Sequence, residues 1–147
     1  MGAGNQLIMR SHLQVQTSLN ELDQVLYWLE NLISPLLPEH LLWNCKVVLA
    51  EGFTNVVRHA HQSLSEWTPI DVEVSVFPEW VEMRIWDWGQ PFNLEDMLES
   101  VRQLHTDPLK HEGKRGLIFM SKLTDELSYT RTEDKRNCLT MRKRIRP

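Results

Sequence analysis

Polar side chains that can do chemistry recur at helical spacing near the middle of the chain. Glu51 and Asn55 are four residues apart, and Arg58 and His59 follow one turn later. Because residues three and four apart are neighbours on a helix, these side chains are expected to share one face. A carboxylate there can act as a general base, and the amide oxygen of Asn55 is a hard ligand suited to Mg²⁺. The same spacing is common on solvated helix faces, so spacing alone leaves both interpretations open.

A second candidate motif is the turn-forming run DWGQPF at residues 87–92, which lies between a predicted strand and a predicted helix. Asp87 could accept a hydrogen bond from the exocyclic amine of a bound base, and Gly89 would let the backbone approach that ligand closely. Turns rich in Asp, Gly and Pro are also common for purely structural reasons. Trp86 and Trp88 flank Asp87 and are expected either to line a base pocket or to pack in the core.

A third motif, EGKRGL at residues 112–117, places glycine and cations at the expected start of a helix. Free N–H groups and the helix dipole favour phosphate at such a position, although an ordinary helix start is the alternative. The polar segment before it, residues 105–115, is predicted to be a lid that orders over phosphates. No G-x-x-x-x-G-K-[ST] and no G-x-G-x-x-G run is present, which excludes Walker and Rossmann phosphate loops.

The hydrophobic pattern predicts the elements that must position these motifs. Apolar residues alternate over residues 7–15, which indicates a strand. Ser18 and Glu21 form a capping-box pattern before an amphipathic helix, and Pro35 and Pro38 separate it from a second helix that reaches about His61. This second helix carries the first motif.

The rest of the chain reads as a hairpin, helical segments and a final hairpin. Alternation over residues 70–76 and 81–85 across Pro78-Glu79 predicts the first hairpin. A third helix is expected over 94–104 and a short one over 116–123, before paired strands at 127–131 and 137–145. The order predicts one α+β domain over residues 1–147, a two-layer sandwich of a mixed, mostly antiparallel sheet with helices on one face.

Composition narrows the class of protein. A chain of 147 residues and 17.4 kDa with 41% hydrophobic residues is expected to be a single globular domain. Its net charge of -4 argues against nucleic-acid binding, and the absence of a long apolar run argues against membrane insertion. The 2 cysteines, Cys45 and Cys138, lie in apolar-periodic segments, as expected of a protein in the reducing cytoplasm.

Together, the three motifs in this order resemble the GHKL ATPase superfamily with its Bergerat fold, and more narrowly the anti-sigma-factor serine/threonine kinases of the RsbW and SpoIIAB type. The resemblance implies ATP and Mg²⁺ as cofactors, with Glu51 as general base and Asn55 as metal ligand. The residues that it assigns to the nucleotide are Asn55, Arg58, His59, Asp87, Gly89, Phe92, Lys114, Arg115, Gly116 and Leu117.

One position departs from the family pattern. The family commonly has Gly-x-Gly-Leu in the lid, whereas Lys114 stands here in place of the first glycine. A lysine restricts the backbone at a point where glycine bends freely, which puts the lid geometry in doubt.

The resemblance implies an ATP-dependent protein kinase of a bacterial partner-switching system. Its protein substrate would be a STAS-domain anti-sigma antagonist. Its regulatory target would be a sigma factor or another protein, and a PPM-type phosphatase would act in opposition to the kinase. Similar proteins are often homodimers. The alternative interpretation, motivated by Lys114, is a catalytically weak binding module that sequesters a partner when nucleotide is bound.

Overall fold

The structure is a computed structural model that describes residues 6–91, residue 116 and residues 120–145. The expected third helix, the expected lid, and the site candidates Phe92, Lys114, Arg115 and Leu117 lie outside the described residues. Gly116 and residues 120–123 have helical backbone, in the segment where the sequence predicts a short helix. The strands are β1 (Met9–Val15), β2 (Ile70–Val76), β3 (Trp80–Asp87), β4 (Glu126–Arg131) and β5 (Asn137–Arg144), and the helices are α1 (Leu22–Ile33) and α2 (Glu39–Asn55).

The strands form one five-stranded sheet in the order β1-β2-β3-β5-β4. Every pairing between the described strands is antiparallel, where the sequence predicts a mixed, mostly antiparallel sheet. The central strands β2 and β3 present buried apolar side chains to the helices, among them Val74 and Met83, which are opposite each other and 0% exposed. The α+β class with helices on one face is confirmed for the described elements.

Helix α1 begins differently from the predicted capping box. Residues Leu19–Glu21 form a 3-10 turn, and the Ser18 hydroxyl accepts a 3.2 Å hydrogen bond from the Asn20 N–H. The Glu21 N–H, which a capping box would direct to the Ser18 side chain, bonds to the Ser18 carbonyl instead. Within the described ranges, no helix is both long and apolar enough to cross a membrane.

Helix α2 does not continue as an α-helix to His61, as the sequence predicts. Residues Val56–Ala60 form a π-turn, closed by a 2.8 Å hydrogen bond from the His61 N–H to the Val56 carbonyl. This widened turn places His61 one turn above the buried Val56, a position that an uninterrupted α-helix would give to Ala60. As a result, His61 is 1% exposed while its neighbour His59 is exposed.

The face of the sheet away from the helices carries paired charges. Arg10 lies 3.6 Å from Glu73, while Arg84 and Arg142 lie 2.8 and 3.3 Å from Glu82. Each such pair contributes little to stability where solvent screens it. The charges nevertheless make this face polar, in contrast to the apolar face under the helices.

The two tryptophans beside Asp87 contact a cation on this polar face. The Arg136 guanidinium lies 5.7 Å from the ring centroids of both Trp86 and Trp88, and its Nη1 is 3.1 Å from Asp71 Oδ2. Neither ring belongs to the buried core, so the core-packing interpretation is wrong. Because successive strand residues point to opposite faces, Trp86 lies across the sheet from the Asp87 side chain.

Two glycines allow the helix and strand β3 to lie close together. A Cβ on Gly52 would be 2.7 Å from Ile85 Cδ1, and a Cβ on Gly89 would be 2.9 Å from the Ala60 carbonyl carbon and closer still to its oxygen. No described glycine has a positive φ, so Gly89 is required for space and not for a left-handed conformation. Along the chain, these two contacts lie before and after Asn55 on the helix side, and before and after Asp87 on the strand side.

We predict that Gly89→Ala destabilises the fold by about 1–3 kcal/mol, because the added methyl group meets fixed backbone of the π-turn. Gly52→Ala is the matched control, since its methyl group meets only the end of the Ile85 side chain, which can rotate, and alanine favours the helix. Urea unfolding of both variants measures the difference. Equal losses of unfolding free energy would contradict the prediction.

Candidate functional site

The first and third motifs meet at Gly116. A Cβ on this buried glycine would lie 2.7 Å from Glu51 Oε2, and 3.3 and 3.4 Å from the amide nitrogen and oxygen of Asn55. Glu51 and Asn55 are both half-buried near the C-terminal end of α2. The structure thus brings a carboxylate, a side-chain amide and the backbone of one glycine close together.

The second motif is held by hydrogen bonds to the Asp87 carboxylate. Asp87 is 5% exposed, and its Oδ1 accepts from the Gly89 N–H at 2.8 Å and from Asn137 Nδ2 at 2.9 Å. Hydrogen bonds to an ionised group are stronger than those between neutral groups. The carboxylate therefore organises the turn that follows β3 by bonding to the residue two positions later.

Asn137 and Arg131 extend this arrangement across the neighbouring strands. Asn137 is 0% exposed and stands opposite Asp87 in the pairing of β3 with β5. Its amide also donates to the Gly89 carbonyl at 2.8 Å, while Arg131 Nη1 donates to Asn137 Oδ1 at 3.0 Å and to the Gly89 carbonyl at 3.4 Å. The buried carboxylate is thus linked to a cation through one amide, which offsets part of the cost of burying its charge.

His61 holds the same turn from the helix side. Its Nε2 accepts a 2.8 Å hydrogen bond from the Trp88 N–H, and its Nδ1 lies 2.8 Å from the Thr17 hydroxyl. Burial lowers the pKa of the imidazole, and the negative charge of Asp87 opposes that shift without reversing it. The surroundings of the imidazole ring therefore favour its neutral form.

The other predicted site residues fall in different places. Arg58 and His59 lie in the π-turn with exposed side chains, so their assignment to a nucleotide stays a prediction. The consequence of Lys114 for the lid also stays a prediction, because that segment lies outside the described residues.

Sequence reasoning missed Asn137, Arg131 and the role of His61. A signal for Asn137 was present, since asparagine is depleted in strands and this one begins a strand of mostly apolar and basic residues. No local signal indicated that Asn137 would stand opposite Asp87, because that register joins residues far apart in sequence. His61 was visible only as the second histidine of an H-x-H pair.

The residues at the helix end have the chemistry that a magnesium ion requires. Mg²⁺ is usually bound by one or two protein oxygens, with phosphate oxygens and waters completing its octahedron. Asn55 offers an amide oxygen next to the Glu51 carboxylate, and both side chains are half-buried beside Gly116. Over the ranges that the structure describes, no cluster of three His, Cys, Asp or Glu side chains could hold a metal by itself. The residues fit a metal that is bound together with a phosphate group.

Comparison with known proteins gives a family for this chain. The sequence model of the Histidine kinase-like ATPase domain family matches residues 15–143. Two curated relatives, both named serine-protein kinase RsbW, come from Bacillus licheniformis and Oceanobacillus iheyensis. Each is 29% identical to this chain over 85 residues, which cover 56% of this chain and 53% of the relative. The match thus spans about half the length of these curated relatives.

A solved structure has the same fold. The crystal structure of the RsbU and RsbW domains of Rv1364c from Mycobacterium tuberculosis aligns with a TM-score of 0.66, over 95% of this chain and 33% of that chain. At 15% sequence identity, this likeness supports the fold alone. The resemblance to GHKL ATPases is confirmed, and the chain belongs to the histidine kinase-like ATPase domain family.

Proposed function

We propose that this protein is an ATP-dependent protein serine/threonine kinase that phosphorylates a small STAS-domain antagonist protein. The contact of Gly116 with both Glu51 and Asn55 carries this proposal. It joins a candidate base, a candidate metal ligand and backbone at the point where the sequence motif predicts phosphate binding. The relatives named serine-protein kinase RsbW support a serine kinase over other members of the family.

The Asp87 turn would hold the adenine end of the nucleotide. Both described hydrogen bonds to the Asp87 carboxylate go to Oδ1, so its other oxygen would accept from the exocyclic amine of adenine. Asn137 and Arg131 keep the carboxylate in one orientation before any ligand arrives. Preorganisation of this kind lowers the entropy that ordering the site would cost on binding.

The helix end would hold the phosphate end and carry out the transfer. Asn55 would bind Mg²⁺ through its amide oxygen, and the bound ion neutralises charge on the phosphates. Glu51 would accept the proton of the substrate hydroxyl as that oxygen bonds to the γ-phosphorus and ADP leaves with the electrons of the broken P–O bond. Because Glu51 is half-buried beside Gly116, its carboxylate is held close to the backbone expected to meet the phosphates.

The proposed activity implies protein partners. The unphosphorylated antagonist would capture the kinase and free its regulatory target, which would be a sigma factor or another protein. A PPM-type phosphatase would remove the phosphoryl group and reset the system. We further propose a homodimer, which the family resemblance implies, and a cytoplasmic location, which the two cysteines in apolar segments favour.

We predict that Asp87→Asn weakens ADP binding about 10- to 100-fold, the range expected for losing a hydrogen bond to a charged group. The variant keeps an acceptor oxygen for Gly89 and Asn137 but replaces the other oxygen with a donor, which opposes the adenine amine. Isothermal titration calorimetry measures the affinity. Asp71→Asn is the matched control, because Asp71 lies on the polar face and pairs with Arg136. Undiminished ADP affinity in Asp87→Asn would show that the adenine ring binds elsewhere.

We predict that Glu51→Gln lowers phosphoryl transfer to the antagonist about 10²- to 10⁴-fold while ATP affinity changes little. Glutamine has nearly the same shape, so the contact with Gly116 is kept and only the basic oxygen is lost. Glu39→Gln, in the first turn of the same helix, controls for the change of charge. Labelling with γ-labelled ATP and a candidate STAS protein measures the rate.

Two other results of this labelling experiment would count against the proposal. Wild-type transfer by Glu51→Gln would show that Glu51 is only a polar residue on the surface of α2. Equally poor labelling by the wild type and the variant, with partner capture intact, would favour the nucleotide-gated binding module.

A further inference from the structure

We propose that His61 is a positioning residue for the nucleotide, which holds the Asp87 turn as a neutral hydrogen-bond acceptor and releases it when protonated. Adenine-nucleotide affinity would then fall in mildly acidic solution. The inference rests on the proposed function where it concerns the nucleotide, and on the contacts of His61 alone where it concerns the turn. The role belongs to a residue outside the three sequence motifs.

The hydrogen bonds around His61 determine which nitrogen carries the proton. The Thr17 hydroxyl donates its single hydrogen to the Thr68 carbonyl at 2.7 Å. Its oxygen, 2.8 Å from His61 Nδ1, can therefore only accept, so Nδ1 carries the hydrogen. Nε2 is left with a lone pair, which matches the N–H of Trp88 that points to it at 2.8 Å. Every partner fits the neutral imidazole with hydrogen on Nδ1.

Protonation of His61 would disrupt this arrangement. A second hydrogen would sit on Nε2, facing the Trp88 N–H, so two donors would oppose each other in a buried place. The Trp88 N–H would lose its acceptor, and a buried donor without a partner is unfavourable because no water replaces the lost hydrogen bond. The ring would have to turn or move away, and the backbone between Asp87 and Gly89 would lose its attachment to the helix.

The turn depends on His61 because the other hydrogen bonds described for it come from the opposite side. Asn137 and Arg131, on β5 and β4, hold the Gly89 carbonyl, while the Asp87 carboxylate holds the Gly89 N–H. Only His61, among the described residues, bonds the Trp88 N–H from the end of the π-turn. Loss of this bond therefore leaves the residue between Asp87 and Gly89 without its attachment to the helix.

The charges near His61 give the direction of the pH dependence. Asp87, on β3, favours the imidazolium, but burial of the ring outweighs it and lowers the pKa of His61. Thr17 and Thr68 are neutral, and Arg131 approaches the same turn through Gly89. Because the pKa is lower in the folded chain than in the unfolded one, the stabilisation by His61 is complete above about pH 6.5. It is lost as the pH falls from there through the folded-state pKa.

The first experiment measures the turn without nucleotide, as the protection factor of the Trp88 amide in hydrogen exchange. His61→Gln places an amide oxygen near Nε2 and cannot titrate, whereas His61→Leu fills the space without an acceptor. In the wild type we expect at least about 10-fold more protection at about pH 8 than at about pH 5. The Trp88 amide should stay protected at both pH values in His61→Gln, and it should be poorly protected at both in His61→Leu. Equal protection of Trp88 in the wild type and His61→Leu would overturn the proposal.

The second experiment measures ADP affinity of the same proteins by calorimetry over the same pH range. The wild type should lose about 10-fold in affinity on acidification, and His61→Gln should lose much less. His40→Gln, which replaces an exposed histidine in the first turn of α2, should keep the wild-type profile. The same pH dependence in His61→Gln as in the wild type would overturn the role of His61 in nucleotide affinity.

The two experiments separate failure of this inference from failure of the proposed function. If wild-type protein bound no ADP even at about pH 8 while Trp88 protection still followed His61, the nucleotide function would be rejected and the anchoring of the turn would stand. If ADP bound tightly while the protection of the Trp88 amide did not depend on His61, the proposed function would stand and the positioning role would be rejected.

Discussion

This site depends on one constraint: the buried polar groups at the ends of a helix and a neighbouring strand must all form hydrogen bonds. Asp87, Asn137 and His61 are all buried, and each has a hydrogen-bond partner in the turn after β3. An unpaired polar group there would cost more than a single hydrogen bond gains. The groups are therefore best satisfied in one backbone conformation, and that conformation presents the Asp87 carboxylate.

Much of the fold could be predicted from local patterns. Alternation of apolar residues indicated the first three strands, and the last two were predicted as a hairpin. The pair Pro78-Glu79 correctly marked a tight turn, with hydrogen bonds between Phe77 and Trp80 on either side. The α2 helix followed from its apolar stripe after Pro38. The π-turn could not be predicted from its spacing, and its contact of Ala60 with Gly89 joins residues far apart in sequence.

The candidate site shows the same division between local and distant information. Glu51 and Asn55 could be grouped because helical spacing alone makes them neighbours. Their contact with Gly116, and that of Asp87 with Asn137, joins residues 50 or more apart in sequence. Composition and periodicity carry no information about such pairs. The family resemblance supplied the first of these associations, and only the three-dimensional arrangement supplied the second.

The π-turn also limits how the length of this segment can vary during evolution. Removing one residue from Val56–Ala60 would give an ordinary α-helical turn, in which His61 keeps its place one turn after Val56. Insertions and deletions are usually tolerated where side chains are exposed, as Arg58 and His59 are. Removing a second residue would rotate His61 by about 100° around the helix axis, so the segment can lose one residue and no more without moving that side chain.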